Sequence, residues 1–483
     1  MKKNLLIYTL LIGFFAVLIW FVIDAGKTLT PASQNQLITN NLSISKPNVS
    51  AIAPKDETIW LQYLHNIKSP LGILLLQIIV ILSVSKLFGS LIGKIRQPSV
   101  IGEMLAGIFL GPSIVGLIFP EFSGFIFPAA SLGNLQFLSQ IGLVFFMFII
   151  GMELDLDKLK GKAQNALVIS HASIIFPYFL GVMVSYFLYE EFAPANVSFL
   201  AFSLFMGIAV SITAFPVLAR ILQERGLTQT PLGIITIACA AFDDVTAWCI
   251  LAVVIAIVKA GSIVSALLTV ILALIFVLVM FYLIKPFIRK AGKEYSGTDA
   301  LSKTTVVMSF LVLLLSAYTT EVIGIHALFG AFLAGVIMPR DTGVKEKLME
   351  KLEDVSISFL LPLFFAFTGL RTQIGLLNEG YLWAACALII FVAVLGKFGG
   401  SAFAAKLTGQ TWKDSFSIGA LMNTRGLMEL IVLNIGYDLG ILSPSLFAIM
   451  VIMALVTTFM TGPLLDCINY FSNKNSASAN NHV

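Results

Sequence analysis

Two neighbouring carboxylates, Asp243 and Asp244, stand in the middle of the hydrophobic run PLGIITIACAAFDDVTAWCILAVVIAIV, residues 231 to 258, which is long enough to cross a bilayer. One aspartate at the centre of a membrane helix costs roughly 2.5 to 3.5 kcal/mol on insertion scales, so two in succession imply a task that needs charge at that depth. Handling a cation or a proton is the chemistry that fits. Consecutive helical residues point about 100° apart, so the two carboxylates need different partners. Lys397, in VLGKFGGSAFAAK (394–406), is a further charge deep inside an apolar span. A buried ammonium keeps its charge only beside a carboxylate, which makes Asp243 its expected partner. Asp244 is then expected to face interrupted helices, where Thr213, Ser211 and backbone carbonyls would complete an oxygen shell for an alkali cation.

The interruptions are themselves legible. In GIAVSITAFPVLARIL (207–222), Pro216 has no N–H for the carbonyl of Ile212, and its ring crowds that turn, so the helix is expected to break around Ser211 to Phe215. In GALMNTRGLMELIVL (419–433), Asn423, Thr424, Arg425 and Gly426 interrupt an otherwise apolar span. Broken backbone is tolerated at membrane depth only where protein or a wet cavity satisfies it, and a matched pair of such breaks points to a binding site. Arg425 and Glu429 lie four apart, close enough to neutralise each other along the helix or to take part in gating.

The elements that carry these residues follow from composition. Of 483 residues, 58% are hydrophobic and 12% charged, with a mean hydropathy of +0.95, which describes a polytopic membrane protein and argues against a nucleic-acid binder. Apolar runs of about 20 residues predict an all-α fold of thirteen spans between 70 and 469, after an N-terminal hydrophobic segment. GEMLAGIFLGP (102–112) is echoed by GAFLAGVIMP (330–339), and FFMFIIGMELD (145–155) by FFAFTGLRT (364–372), in the same order. Equivalent positions are seven spans apart, and an odd number makes the copies inverted repeats of six spans each, 70–258 and 304–469, with a linker helix and loop at 259–303.

Loop charge sets orientation. With the thirteen spans numbered from residue 70, the loops after odd spans together with both termini hold 21 of the 30 Lys and Arg, which places that side and the tail, 470–483, in the cytoplasm. Residues 1–24 read as an uncleaved signal anchor in a cytoplasmic or plasma membrane, and the polar stretch 25–69 as extracytoplasmic. Lys86 is expected to snorkel, and Glu103 to cap or pair near the start of its span. Cys239, Cys249, Cys386 and Cys467 lack metal-ligand spacing and read as small core residues, while His171 reads as a helix-packing residue.

QPSVIGEMLAGIFLGPS (97–113), SITAFPVLARIL (211–222), AAFDDVTAW (240–248) and NTRGLMELIVLNIGYDLGIL (423–442) together make the chain resemble the monovalent cation:proton antiporter superfamily, on the branch of plant cation/proton exchangers and bacterial sodium/proton antiporters. The resemblance spans about 70 to 469. It implies a homodimer of thirteen-helix subunits, in which a core of spans 4 to 6 and 11 to 13 moves against a dimer domain. It implies no cofactor, with Na+ or K+ and H+ as the transported species. Residue by residue, Asp244 matches the cation- and proton-binding carboxylate, and Lys397 the buried lysine that partners the first Asp of two-aspartate members. Asp243 occupies a position that is Asn in electroneutral relatives, so electrogenic exchange is implied. Two departures stand out: Ile212-Thr213 occupies a place where some two-aspartate relatives carry Asp, and no large nucleotide-binding tail follows the last span.

Burial disfavours the ionised form of a lone carboxylate, so proton and cation compete for it near neutral pH; with alternating access, that competition is antiport. An intramembrane aspartyl protease needs two carboxylates converging from separate helices, which adjacent residues do not provide. A cation channel or gated K+ efflux system of the same fold is the nearer alternative, distinguished by current without coupled proton movement. A membrane sensor would carry an added signalling domain.

Overall fold

The structure, a computed structural model, describes residues 2–26, 69–95, 97, 99–153, 163–260, 263–294, 303–339 and 344–480, and among these every regular element is a helix. Inside a bilayer the helix satisfies its own backbone, which is why apolar runs of this length adopt it. Apart from its two ends, the polar segment 25–69 lies outside the described residues. The helices that position the site are α1 (Lys2–Gly26), α2 (Pro70–Lys94), α3 (Ser99–Leu110), α4 (Leu132–Glu153), α5 (Ala163–Phe192), α6 (Phe199–Ala209), α7 (Phe215–Glu224), α8 (Pro231–Ala260) and α9 (Ile263–Val279). They continue with α10 (Lys303–Ile323), α11 (Ala327–Val336), α12 (Val344–Val355), α13 (Leu361–Arg371), α14 (Gly380–Val394), α15 (Gly400–Leu407), α16 (Trp412–Met422), α17 (Leu427–Asp438) and α18 (Pro444–Asn480). Single π turns, Ser356–Leu360 and Leu395–Gly399, join α12 to α13 and α14 to α15, and the second of them carries Lys397.

Ten of the described helices are long and apolar enough to cross a membrane, or eleven when α16 and α17, bent by 42° at their break, count as one span. The fold is thus an all-helical polytopic membrane fold. Helix starts use local capping: Ser69 Oγ accepts from Gly72 N and Ser198 Oγ from Ala201 N, while Thr411 Oγ1 accepts from Asp414 N and donates to Asp414 Oδ2.

Packing sorts the helices into two bodies. α2, α3, α4, α10, α11 and α13 pack on one another, while α5, α6, α8, α14, α15, α16 and α18 form the second group, with α7 against α8 and α17 against α6 and α18. α9 bridges them between α8 and α10, its outer face lined by exposed residues such as Val264, Leu267 and Leu278. The N-terminal α1 lies along α5, where Phe15 is buried between Phe176 and Phe179 at ring-centroid distances of 4.7 and 5.3 Å.

Two glycine contacts fix the first body. A Cβ on Gly107 of α3 would stand 2.6 Å from Phe365 O, and one on Gly369 of α13 would collide with the backbone of Gly107. Gly335 of α11 and Gly151 of α4 exclude side chains against each other in the same way. Gly107 and Gly335 hold the same place in the two Leu-Ala-Gly segments, while Gly151 lies six residues and Gly369 five residues after the first Phe of the two Phe-Phe segments, and at each contact a glycine of one kind of segment meets a glycine of the other. Of the four cysteines, Cys239 and Cys386 are buried but Cys249 and Cys467 are exposed on the protein surface, which corrects their reading as core residues: their spans are apolar all round, and periodicity does not reveal the outward face. Lys86 is exposed, and His171 Nδ1 lies 2.8 Å from Leu167 O within its own helix.

Candidate ion-binding site

Two unwound stretches, 210–214 between α6 and α7 and 423–426 between α16 and α17, meet in the middle of the second body. Pro216 lies in the first turn of α7, where its missing N–H costs no helical hydrogen bond. The two breaks stitch to each other: Ala214 N donates to Thr424 O at 3.0 Å, and Thr213 Oγ1 lies 3.2 Å from Met422 O. Arg425 places its guanidinium at the C-terminus of α6, donating to Ala209 O at 3.2 Å and to Val210 O, and reaches Glu429 Oε2 at 2.9 Å. That terminus carries the negative end of the helix dipole, so a cation there is well placed. Gly426 turns the chain at φ +129°, a conformation that L side chains rarely adopt. Asn423, Thr424, Arg425 and Glu429 are all fully buried, and Thr424 Oγ1 sits 3.2 Å from Thr461 Oγ1 of α18.

α8 crosses beside these breaks and presents its two aspartates to different surroundings. Asp243 is saturated. Lys397 Nζ lies 2.6 Å from Oδ2, which also accepts from Thr213 Oγ1 at 2.5 Å, while Oδ1 accepts from Ser173 Oγ at 2.9 Å and lies 3.5 Å from Ser170 Oγ. Lys397 in turn donates to Ser173 Oγ at 3.0 Å, which closes a ring of three side chains from α5, α8 and the π turn after α14. All these residues are fully buried, so the pair is held where its charges have no competing water.

Asp244 is the opposite case. It is 2% exposed, and neither carboxylate oxygen has a hydrogen-bond partner among the described residues. The backbone N–H of Phe215, at the positive end of α7, approaches it without forming a full hydrogen bond. Its crevice is lined by Ile212, Ala247, Trp248, Leu251, Met428 and Val432, apolar side chains around one acid. A buried carboxylate without donors has free lone pairs for a proton or for an oxygen-preferring cation.

Thr213 therefore stands with Asp243 and not with Asp244, a correction to the expected coordination shell. The unwound backbone sets the direction of its hydroxyl, and Asp243 lies on that side. Ser211 Oγ donates to Gly207 O at 2.6 Å, one turn back, as serine commonly does at a helix end. Ile212 reaches the Asp244 crevice. Ser170 and Ser173 are site residues that sequence reasoning passed over; the signal was the segment SHAS, small polar residues three apart within an apolar span. The carbonyl contacts of Arg425 were likewise not anticipated.

Residues 79–467 match the family described as sodium/hydrogen exchanger, transmembrane. The chain is 44% identical over 394 residues to the Na(+)/H(+) antiporter NhaS4 of Synechocystis, an alignment covering 81% of this chain and 96% of that protein. It is 41% identical over 396 residues to the cation/H(+) antiporter 17 of Arabidopsis thaliana and 34% identical over 413 residues to the K(+)/H(+) antiporter 1 of Saccharomyces cerevisiae. Those alignments cover 82% and 84% of this chain but 48% and 47% of the relatives, so the chain spans about half their length. Among solved structures, the sodium proton antiporter MjNhaP1 of Methanocaldococcus jannaschii shares the fold with a TM-score of 0.55 at 15% identity, over 80% of this chain and 94% of that one.

Proposed function

The chain belongs to the sodium/hydrogen exchanger family and is a cation/proton antiporter, and from that premise we propose that Asp244 is its carrier group, binding either a proton or one alkali cation, Na+ or K+, in turn. The observation that carries this reading is the contrast within α8: Asp243 is neutralised by Lys397 and hydrogen-bonded on both oxygens, whereas Asp244, one residue on and equally buried, has no partner among the described residues. A fully satisfied carboxylate has little to offer a passing ion. An unsatisfied one at the crossing of two broken helices has both lone pairs and access to oriented backbone.

Alternating access is the transport mode we infer, with the second body carrying the site against the first. The subunit has thirteen spans from residue 70, in two inverted repeats, 70–258 and 304–469. The exchanged glycine contacts, Gly107 with Gly369 and Gly335 with Gly151, support that symmetry. We place the Lys- and Arg-rich ends, with the C-terminus, in the cytoplasm of a cell-membrane protein, α1 as a signal anchor, and a homodimer as the assembly. One proton for one cation at Asp244 alone is electroneutral, so the electrogenic exchange that we infer from the two-aspartate type needs a second proton carrier, and the buried Lys397–Asp243 pair beside Asp244 is our candidate for it.

Reconstituted vesicles test the assignment. Proton flux against imposed Na+ and K+ gradients should be lost in Asp244→Asn while the variant still purifies as a folded protein. Robust cation-dependent proton flux in that variant removes Asp244 from the mechanism.

A further inference from the structure

The two bodies leave a very different space at the two membrane ends. At the Lys- and Arg-rich end a cleft of about 960 Å³ opens between Gly89, Gly93 and Gln97 of the first body and Ile221, Arg225 and Asp466 of the second. At the other end the corresponding space shrinks to about 30 Å³, lined by Ser139, Gln140 and Leu143 of α4, Phe367 of α13, and Asn434 and Asp438 of α17. That is room for roughly one water molecule.

Polar side chains from the last turns of α13 and α17 close this narrow end. Arg371 Nη1 lies 2.7 Å from Asp438 Oδ1 and 3.2 Å from Asn434 Oδ1, and Asn434 Nδ2 donates to Thr368 Oγ1 at 2.8 Å. The guanidinium also stacks over Phe367 of its own helix and Tyr437 of α17, at 4.4 and 5.2 Å from the ring centroids. Of the ion pairs named here, Lys397–Asp243 and Arg425–Glu429 lie inside the second body, as does Arg225–Asp466 between α7 and α18 in the open cleft. Arg371–Asp438 crosses from one body to the other. Asp438 follows Met428, which borders the Asp244 crevice, by ten residues of α17, or about 15 Å at the helical rise, half the thickness of a hydrocarbon core.

We infer that Arg371, with Asp438, Asn434 and Thr368, is the extracytoplasmic gate of the transport cycle, a positioning cluster that holds the two bodies together while the carrier site faces the cytoplasm. This rests on the alternating-access reading and deepens it. The pair is partly exposed, with side-chain exposures of 18% for Arg371 and 37% for Asp438, so it forms and breaks without the penalty of stranding a charge in lipid. When the bodies rock, Arg371 and Asp438 separate into water and the narrow space widens into the outer route to Asp244.

The test uses Ser139→Cys, a buried position lining the narrow space, in a full-length chain whose four native cysteines are replaced by alanine. A membrane-impermeant thiosulfonate added outside should label it about fivefold faster in Asp438→Asn and in Arg371→Gln, the population shift expected from losing one partly exposed ion pair. The exchanged pair Arg371→Asp with Asp438→Arg should return labelling toward the starting rate. Unchanged labelling in both single variants overturns the gate. Where a single variant fails to fold, Thr368→Cys with Asn434→Cys supplies the second measurement: a short reversible bis-thiosulfonate should stop exchange, and reductant should restore it. Continued exchange by the cross-linked protein overturns the gate and leaves the antiporter reading standing, since that reading is tested separately by Asp244→Asn.

Discussion

At the scale of single residues, two adjacent acids have opposite surroundings, Asp243 paired with Lys397 and Asp244 without a hydrogen-bond partner among the described residues. Breaking a buried ion pair strands a charge and costs about 3 to 5 kcal/mol, whereas replacing both members by apolar groups is close to neutral. Asp243→Asn should therefore lower unfolding stability in detergent by about that amount, more than Asp244→Asn does, and adding Lys397→Met should recover most of it. Equal loss in the single and double variants would contradict the pairing. That Lys397 needs a carboxylate was legible in the sequence, because a lone ammonium in an apolar span has no other stable arrangement. Which acid Thr213 serves was not, because both aspartates lie within one turn and only the path of the unwound chain decides between them. Ser173 escaped notice for a related reason: a serine within an apolar helix usually bonds back to its own helix, and only the fold brings it to Asp243 and Lys397.

At the scale of elements, the two breaks are held by groups with no spare alternative. Gly426 at φ +129° admits no Cβ without strain of about 1 to 3 kcal/mol, so Gly426→Ala should lower both the melting temperature and the exchange rate, read by thermal unfolding and vesicle flux. A variant as stable and active as the parent would show that the turn tolerates other conformations. Pro216 and the Asn423–Gly426 interruption made the breaks visible as sequence, since both act through local backbone chemistry. The capping of α6 by Arg425 was hidden. Its proximity to Glu429 follows from helical spacing, but its contacts with Ala209 and Val210 join residues more than 200 positions apart. The glycine crossings lay between these extremes. The Leu-Ala-Gly and Phe-Phe segments were visible as loosely recurring sequence, but not that a glycine of the one kind packs on a glycine of the other at both places.

At the scale of the whole molecule, the paired acid sits among hydroxyls and an ammonium while the unpaired one sits in an apolar crevice, and the proposed exchange is built on that contrast. If more than one proton moves per cation, each net charge is worth about 2.3 kcal/mol per 100 mV, so an inside-negative potential that drives protons inward should accelerate cation efflux from clamped vesicles. A rate indifferent to voltage would make the exchange electroneutral. The two-body division follows from which apolar faces pack, and sequence periodicity alone does not reveal it in helices that are hydrophobic all round. The idea that proton and cation exclude each other at Asp244 is tested most directly by proton release from the purified protein. In weakly buffered detergent solution near neutral pH, adding Na+ or K+ should acidify the medium for the parent chain and leave it unchanged for Asp244→Asn; equal acidification by both would contradict the account.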